Sequence, residues 1–283
     1  MKLELALTAA TVRMDLAGRA NPRRDAELLL MHALGRERAY IYANPDHEVL
    51  PAELLRYDSL LERRVSGEPI QYITGHQEFW GLDLQVTPAV LIPRPETEHA
   101  VETALELLRN TESPRIVDVG TGSGCIALAL ASELPGAQID AVDVSSEALA
   151  VARANAERLG LHTTLEKSDL LDRYLDYGPV FDLVISNPPY VGKSDADKLQ
   201  REVREHEPHC ALFGGLEGLD IYRRLVPQAH KVLKPGGWLV MEIGYSQEAR
   251  IRELLKRWRE VKSVPDLQGI PRVVIARKAQ SHS

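Results

Sequence analysis

Two hydrophobic periods divide the chain. Over residues 1–75 apolar positions recur three and four apart, whereas beyond about residue 96 short apolar runs alternate with helical stretches. In the first part, Leu5, Ala9, Val12 and Leu16 share one helical face, and a stripe of that kind ordinarily marks a face turned to the core. Asn21-Pro22 reads as an N-cap followed by proline at the first helical position, and Ala26, Leu29, Leu30, Ala33 and Leu34 follow on one face. Pro51 opens another helix with Leu54, Leu55, Leu61 and Val65 expected inward. The expectation is a helical bundle serving as a lid or partner grip, with no nucleophile or ligand cluster of its own.

Ser66-Gly67-Glu68-Pro69 breaks this pattern, and Glu78 to Val86 alternates around Gly81 as a β-hairpin would. The chain is accordingly divided into a helical module (residues 1–75), a hairpin linker (76–92) and an α/β domain (93–283). Within the last, the pattern predicts helices over 97–109, 124–133, 146–159, 218–233 and 247–258. It predicts strands over 114–119, 138–143, 162–167, 180–185, 236–243, 260–265 and 271–277. Such alternation implies a mainly parallel sheet with helices on both faces. The final two strands are joined by too few residues for a parallel crossover, so they should pair antiparallel. The polar tail Ala279–Ser283 is expected to fray.

Composition narrows the partners. The net charge is −7, with 10 Lys/Arg against 11 Asp/Glu in residues 1–75 and 24 against 30 in the remainder. Neither part is a basic arm, which argues against a ligand held mainly through phosphates, such as nucleic acid. Two cysteines, Cys125 and Cys210, make neither a disulfide framework nor a zinc set. No apolar run approaches the ~18 residues of a membrane span, and the start is no signal-peptide core. The expected setting is the cytoplasm, without a membrane partner.

The candidate chemistry lies at strand ends. Gly120-Thr121-Gly122-Ser123-Gly124 follows the run Ile116 to Val119. A glycine-rich turn between a strand and a helix lets a nucleotide-type ligand approach the backbone. The spacing is Gly-x-Gly-x-Gly, not the dinucleotide Gly-x-Gly-x-x-Gly, so a nicotinamide oxidoreductase is disfavoured. Asp143 ends the next strand, where a carboxylate can accept from both ribose hydroxyls; its plainer role is a helix cap, for which Ser145 is the more natural residue. Asp169 follows the third strand and could accept from an adenine amino group, with Leu170 over the ring; a simple turn aspartate is the alternative.

Asn187-Pro188-Pro189-Tyr190 follows the fourth strand. Either it is a proline-rich turn, or it clamps a planar NH2 group. In the second reading the Asn187 side-chain oxygen and the Pro188 carbonyl accept the two N–H groups. The prolines fix the backbone beforehand and Tyr190 stacks on the plane. With the glycine loop, this suggests methyl transfer to an amide or exocyclic amino nitrogen. His206-Glu207-Pro208-His209 is discounted as a metal site, because Pro208 interrupts the helix that would align the ligands and no third ligand is evident. Cys125, at a helix start, reads as a small packing residue rather than a reactive thiol.

These motifs resemble the protein-(glutamine-N5) methyltransferases of the HemK family. The likeness runs from about residue 20 to 277. It is carried by Gly67 to Gly75, Phe79-Trp80-Gly81-Leu82, Ile92 to Glu98, Asp118 to Gly124, Asn187 to Tyr190, Glu207-Pro208 with Ala211-Leu212, and Met241 to Gly244. The resemblance implies a Rossmann-like class I S-adenosylmethionine-dependent methyltransferase with an N-terminal helical domain. It implies S-adenosylmethionine as donor, the glutamine of the Gly-Gly-Gln tripeptide in peptide chain release factors as acceptor, and those factors as partners gripped by the helical domain. Asn187, Pro188 and Tyr190 become the catalytic candidates, with Pro189 joining them in substrate binding. The cofactor candidates are Gly120 to Gly124, Asp143, Asp169, Leu170 and Asn187, with Arg94 and Thr97 closing the pocket, a helix-start role beside Glu96 and Glu98 being the alternative for Thr97; Leu170 stands where relatives often have an aromatic residue. Competing readings are an adenine or cytosine amino-methyltransferase acting on nucleic acid, and a non-catalytic translation-factor adaptor, which an intact clamp disfavours.

Overall fold

Residues 1–280 are described by the structure, a computed structural model, so the last three residues of the tail lie outside the described residues. The chain separates into two compact units. The first comprises Met1–His76 together with Gln200–His206, and the second Gln77–Leu199 with Glu207–Ser283.

The helical unit begins with α1 (Leu3–Leu16), α2 (Pro22–Leu34), α3 (Arg38–Ala43), α4 (Pro51–Ser66) and α5 (Ile70–Thr74). Pro22 and Pro51 sit in the first turn of α2 and α4, where a missing N–H costs nothing. The α1 stripe proves to be turned the other way. Leu3, Leu7, Ala10 and Met14 are buried, while Leu5, Ala9, Val12 and Leu16 face solvent, Leu16 at 84% exposure. Both faces of α1 are apolar, so periodicity alone could not choose between them. Leu55 is likewise exposed, whereas Leu61 is buried as expected, together with Tyr57, Leu60 and Arg64 of α4. The Arg64 guanidinium donates to Asp25 Oδ2 and Glu202 Oε2, each at 2.6 Å. A buried charge is tolerable only when paired in this way.

The second unit opens with the hairpin β1 (His76–Phe79) and β2 (Leu82–Gln85), then α6 (Glu98–Leu108). Next come β3 (Arg115–Val119), α7 (Cys125–Glu133), β4 (Gln138–Asp143), α8 (Ser146–Leu159), β5 (Thr164–Lys167) and β6 (Phe181–Ser186). The short α9 (Arg201–His206) counts with the helical unit, and Pro208 separates it from α10 (His209–Leu212). The chain ends with α11 (Asp220–Val232), β7 (Leu233–Glu242), α12 (Glu248–Leu254), β8 (Arg259–Pro265) and β9 (Pro271–Arg277).

Seven strands form one sheet in the order β5-β4-β3-β6-β7-β9-β8. The pairs among β5, β4, β3, β6 and β7 are parallel; β9 runs antiparallel to both β7 and β8. Both faces of the sheet are covered, as a parallel sheet requires. Val117, Val119 and Val184 pack with Tyr222 and Leu225 of α11 and Ile251 of α12. Ile116, Leu183 and Ile185 pack on the other face with Ala104 of α6 and Leu128 of α7. The strand order reverses between β3 and β6, which are neighbours with Val119 opposite Ser186. Ligands of open α/β sheets bind at the carboxyl ends of strands at such a switch point. Among the described residues no helix is long and apolar enough to cross a membrane.

Candidate active site

The glycine loop leaves β3 at this switch point. Gly120, Gly122 and Gly124 all have positive φ (75°, 56° and 84°), a conformation that side chains with a Cβ rarely adopt. A Cβ on Gly120 or Gly122 would meet nothing within 4 Å, so the loop presents bare backbone to open space. Gly124 instead closes the helix onto the sheet, because a Cβ there would lie 3.1 Å from the Leu128 side chain and 3.3 Å from Ala152. The Asp143 carboxylate braces the loop: Oδ2 accepts from Gly122 N and Oδ1 from Ser145 N, each at 2.9 Å. Ser145 is the N-cap of α8, its hydroxyl accepting from Ala148 N. Asp143 is therefore not the cap.

Beneath the loop Asp118 is fully buried, and burial raises its carboxyl to about pKa 7. Its Oδ2 accepts from the Thr121 hydroxyl at 2.6 Å, while Asp118 Oδ1 and Ser123 Oγ are buried with no hydrogen-bond partner among the described residues. Burial also pushes the Cys125 thiol up to about 12, against any activation by the helix start.

A cavity of about 150 Å³ lies over these strand ends. Gly120, Thr121, Gly122, Ser123, Asp143, Asp169, Leu170, Arg94, Thr97, Asn187 and Pro189 line it, together with Cys210 and Ala211. Gly124, Pro188 and Tyr190 are not among its lining residues. A larger groove of about 1020 Å³ lies at the opposite, amino-terminal ends of the strands, near Arg115, Gln138 and Thr164, and contains none of the candidates. Asp169 is exposed and ion-paired with Arg224 at 2.7 Å, and Leu170 is held at a positive φ of 53°. That strained conformation in a leucine is one that surrounding structure must impose. Arg94 pairs with the buried Glu207 carboxylate, which also accepts from Ile92 N, so this pair anchors the segment before α6.

The Asn187–Tyr190 turn is held from distant parts of the chain. Ser186 Oγ donates to Val119 O at 2.7 Å, joining the ends of β6 and β3. Asn187 Nδ2 donates to Thr97 Oγ1 at 3.0 Å, and the Thr97 hydroxyl donates to Glu242 Oε2 at 2.7 Å. Tyr190 OH reaches Glu242 Oε1 at 3.4 Å. Thr97 is 2% exposed and makes no side-chain cap to α6, so its hydroxyl serves this network and not the helix start. Glu242, also 2% exposed, is raised to about pKa 7 by burial.

Behind the turn, a Cβ on Gly214 would lie 2.2 Å from Pro189 O, and one on Gly218 would lie 2.1 Å from Tyr190 O. Gln247 Nε2 donates to Tyr190 O at 2.9 Å and Gly218 O at 3.3 Å. Sequence reasoning missed Gly214, Gly218, Gln247 and the Thr97–Glu242 pair; the glycine density of Phe213 to Gly218 was the available signal. It also missed Asn155, wholly buried, which accepts from Gln85 N and donates to Gln85 O and Ser123 O, tying β2 to the glycine loop. No group of three or more histidine, cysteine or acidic side chains that could hold a metal occurs among the described residues.

The strand order, the glycine loop at the end of β3 and the asparagine turn at the end of β6 define a class I S-adenosylmethionine-dependent methyltransferase. Residues 6–75 match the family described as PrmC N-terminal domain, and residues 94–207 match the methyltransferase small domain. A release factor glutamine methyltransferase of Koribacter versatilis is 52% identical over 281 residues, covering 99% of this chain and all of that protein. One from Geobacter sulfurreducens is 46% identical and covers 92% of this chain and 91% of its own. The chain belongs to the release factor glutamine methyltransferase family. The hMettl16 catalytic domain superposes with a TM-score of 0.57 at 18% identity over 82% of this chain and 83% of that one, a likeness of fold alone.

Proposed function

We propose that this protein methylates the side-chain amide nitrogen of the glutamine in the Gly-Gly-Gln tripeptide of peptide chain release factors, in the cytoplasm. The observation that carries this reading is that Asn187 and the glycine loop line one cavity from neighbouring strand ends. The residues present suit the donor. The glycine loop offers open backbone, and the carboxylates of Asp143 and Asp169, the latter paired with Arg224, lie on the cavity wall beside it. Ser123 Oγ and Asp118 Oδ1 lack protein partners just beneath it. S-adenosylmethionine, when bound, supplies a cationic sulfonium methyl group.

The chain's own work is then to hold and orient. Gly120 to Ser123 cradle the amino-acid end of the donor with Gly124 packing the helix behind them, Asp143 accepts from the ribose hydroxyls, and Asp169 and Leu170 attend the adenine. An amide nitrogen is a poor nucleophile because its lone pair is delocalised. Asn187 Oδ1 and the Pro188 carbonyl accept its two N–H groups, which favours the tetrahedral nitrogen of the transition state. Pro188 and Pro189 fix the backbone in advance, and Tyr190, outside the lining of the cavity over the glycine loop, stacks on the amide plane. A sulfonium donor makes in-line placement more important than a strong base.

Mass spectrometry of unmodified release factor, incubated with the protein and S-adenosylmethionine, tests this. A gain of one CH2 unit on the tripeptide glutamine is expected. Methylation of nucleic acid without methylation of the factor would overturn it.

A further inference from the structure

We propose that Thr97 and Glu242 are positioning residues that fix the rotation of the Asn187 carboxamide, so that its oxygen and not its NH2 group faces the substrate amide. The inference rests on the reading of Asn187 as acceptor for a substrate N–H.

A carboxamide has two ends of nearly equal shape and opposite hydrogen-bonding character. An asparagine that must accept from a substrate NH2 is useless when flipped, because two donors then face each other. Something must choose the end, and a chain of single-valued hydrogen bonds does so. An ionised Glu242 carboxylate can only accept. Thr97 has one hydroxyl hydrogen and gives it to Glu242 Oε2 at 2.7 Å. The Thr97 oxygen is left as an acceptor toward Asn187, and only the NH2 end of Asn187 can satisfy it, at 3.0 Å. The Asn187 oxygen is thereby turned away from Thr97 and left for the substrate.

The rest of the surroundings keep this chain in place. Tyr190 OH donates to the second Glu242 oxygen and Tyr222 OH to the Glu242 backbone carbonyl at 2.7 Å. Thr97 and Glu242 are both buried, so water does not compete. Glu242 is the last residue of β7 and Thr97 lies just before α6, so the rotation of a residue after β6 is set by two elements distant in sequence.

Protonation reverses the logic. A neutral Glu242 can donate to Thr97, which frees the Thr97 hydrogen to point at Asn187 and favours the flipped carboxamide. Burial places that protonation near pKa 7, raised further by Glu96 and opposed by the Thr97 and Tyr190 hydrogen bonds and by Arg272. The other titratable groups facing Glu242 do not change charge there: Tyr190 and Tyr222 are pushed up, Cys125 is pushed up to about 12, and Arg272 is raised. Turnover should therefore fall as pH drops through this range.

The test measures kcat, KM for unmodified release factor and the S-adenosylmethionine dissociation constant, from pH 6 to 9 in steps of about one unit. Wild type, Thr97→Val, Thr97→Ser, Glu242→Gln and Asn187→Ala are compared. Thr97→Val should lower kcat by on the order of a hundredfold, the scale of a misplaced reacting group, and weaken donor binding far less, although Thr97 lies on the cavity wall. Thr97→Ser keeps the hydroxyl and should restore turnover to within a few-fold of wild type. Glu242→Gln, which keeps the shape, should lower kcat and flatten the low-pH fall, leaving only the part that Asp118, titrating in the same range beneath the glycine loop, contributes. Wild-type kcat and pH profile in both Thr97→Val and Glu242→Gln, with Asn187→Ala inactive, would overturn the positioning role and leave the acceptor reading intact. Full activity of Asn187→Ala would instead overturn that reading. If Thr97→Val does not fold, kcat and the pH profile of Glu242→Gln decide, and wild-type values of both would overturn the positioning role.

Discussion

The loop after β3 and the turn after β6 end neighbouring strands, yet they are built in opposite ways. The glycine loop is the more local of the two: its glycines hold positive φ, Asp143 on the adjacent strand braces it through backbone N–H groups, and Asn155 of α8 ties Ser123 O to β2. The asparagine turn is assembled from far away, by Thr97, Gly214, Gly218, Glu242 and Gln247. On the proposed reading, a donor common to many enzymes is met by a transferable strand–loop–helix unit, whereas a planar amide needs acceptors whose direction the wider fold must fix. The cofactor side and the substrate side should therefore be separable by mutation.

Gly218→Ala should separate them most sharply. Its Cβ would sit 2.1 Å from the Tyr190 carbonyl oxygen, at a φ of +74° that alanine resists, so the turn must move. Turnover should be lost while donor binding at the β3 loop survives. Loss of both in parallel, measured by kinetics and calorimetry, would mean the two sides are one structure. Asn187→Ala should cost about 2–4 kcal/mol of transition-state stabilisation, the worth of one oriented hydrogen-bonding group. Asp143→Ala should act on the other side, weakening donor binding by roughly tenfold, about 1.4 kcal/mol, for a lost hydrogen bond to a charged group; an unchanged dissociation constant would contradict its role.

The smallest expected effect is on stability. Burial raises Glu242 and Asp118 to about pKa 7 from ordinary values of 4.5 and 3.8. Between those limits the folded state holds more protons than the unfolded one, so stability is full at low pH and declines as pH rises through about 7. Glu242→Gln should flatten part of that decline, as read from thermal midpoints across pH. An unchanged slope would mean Glu242 is not the group responsible.

The same contrast explains what could be read from the sequence. The sheet was legible because alternation of apolar runs and helical stretches is a local pattern, and β4, α8 and β9 fall on the residues expected. The antiparallel β8–β9 pair followed from chain length between them. The facing of α1 was not legible, because Leu5, Val12 and Leu16 form as good an apolar stripe as Leu3, Leu7 and Met14. Nor was the grouping of Gln200–His206 with the helical unit, where Arg64 is shared between Asp25 and Glu202. Residue type and order singled out Asn187 and the glycine loop as candidates, and the structure brings Asn187 and Gly120 to Ser123 to one cavity. Thr97 and Glu242 did not announce their joint role, because a buried threonine and a strand-end glutamate acquire it only when β7 and α6 bring them to β6.

The most direct test of this division is the S-adenosylmethionine dissociation constant of Asn187→Ala, measured by calorimetry on a sample whose turnover has been shown to be lost. An affinity within a few-fold of wild type, on the order of 1 kcal/mol or less, is the expected result. An affinity that falls as far as the turnover does would contradict it, and would place Asn187 with the glycine loop as part of the donor site.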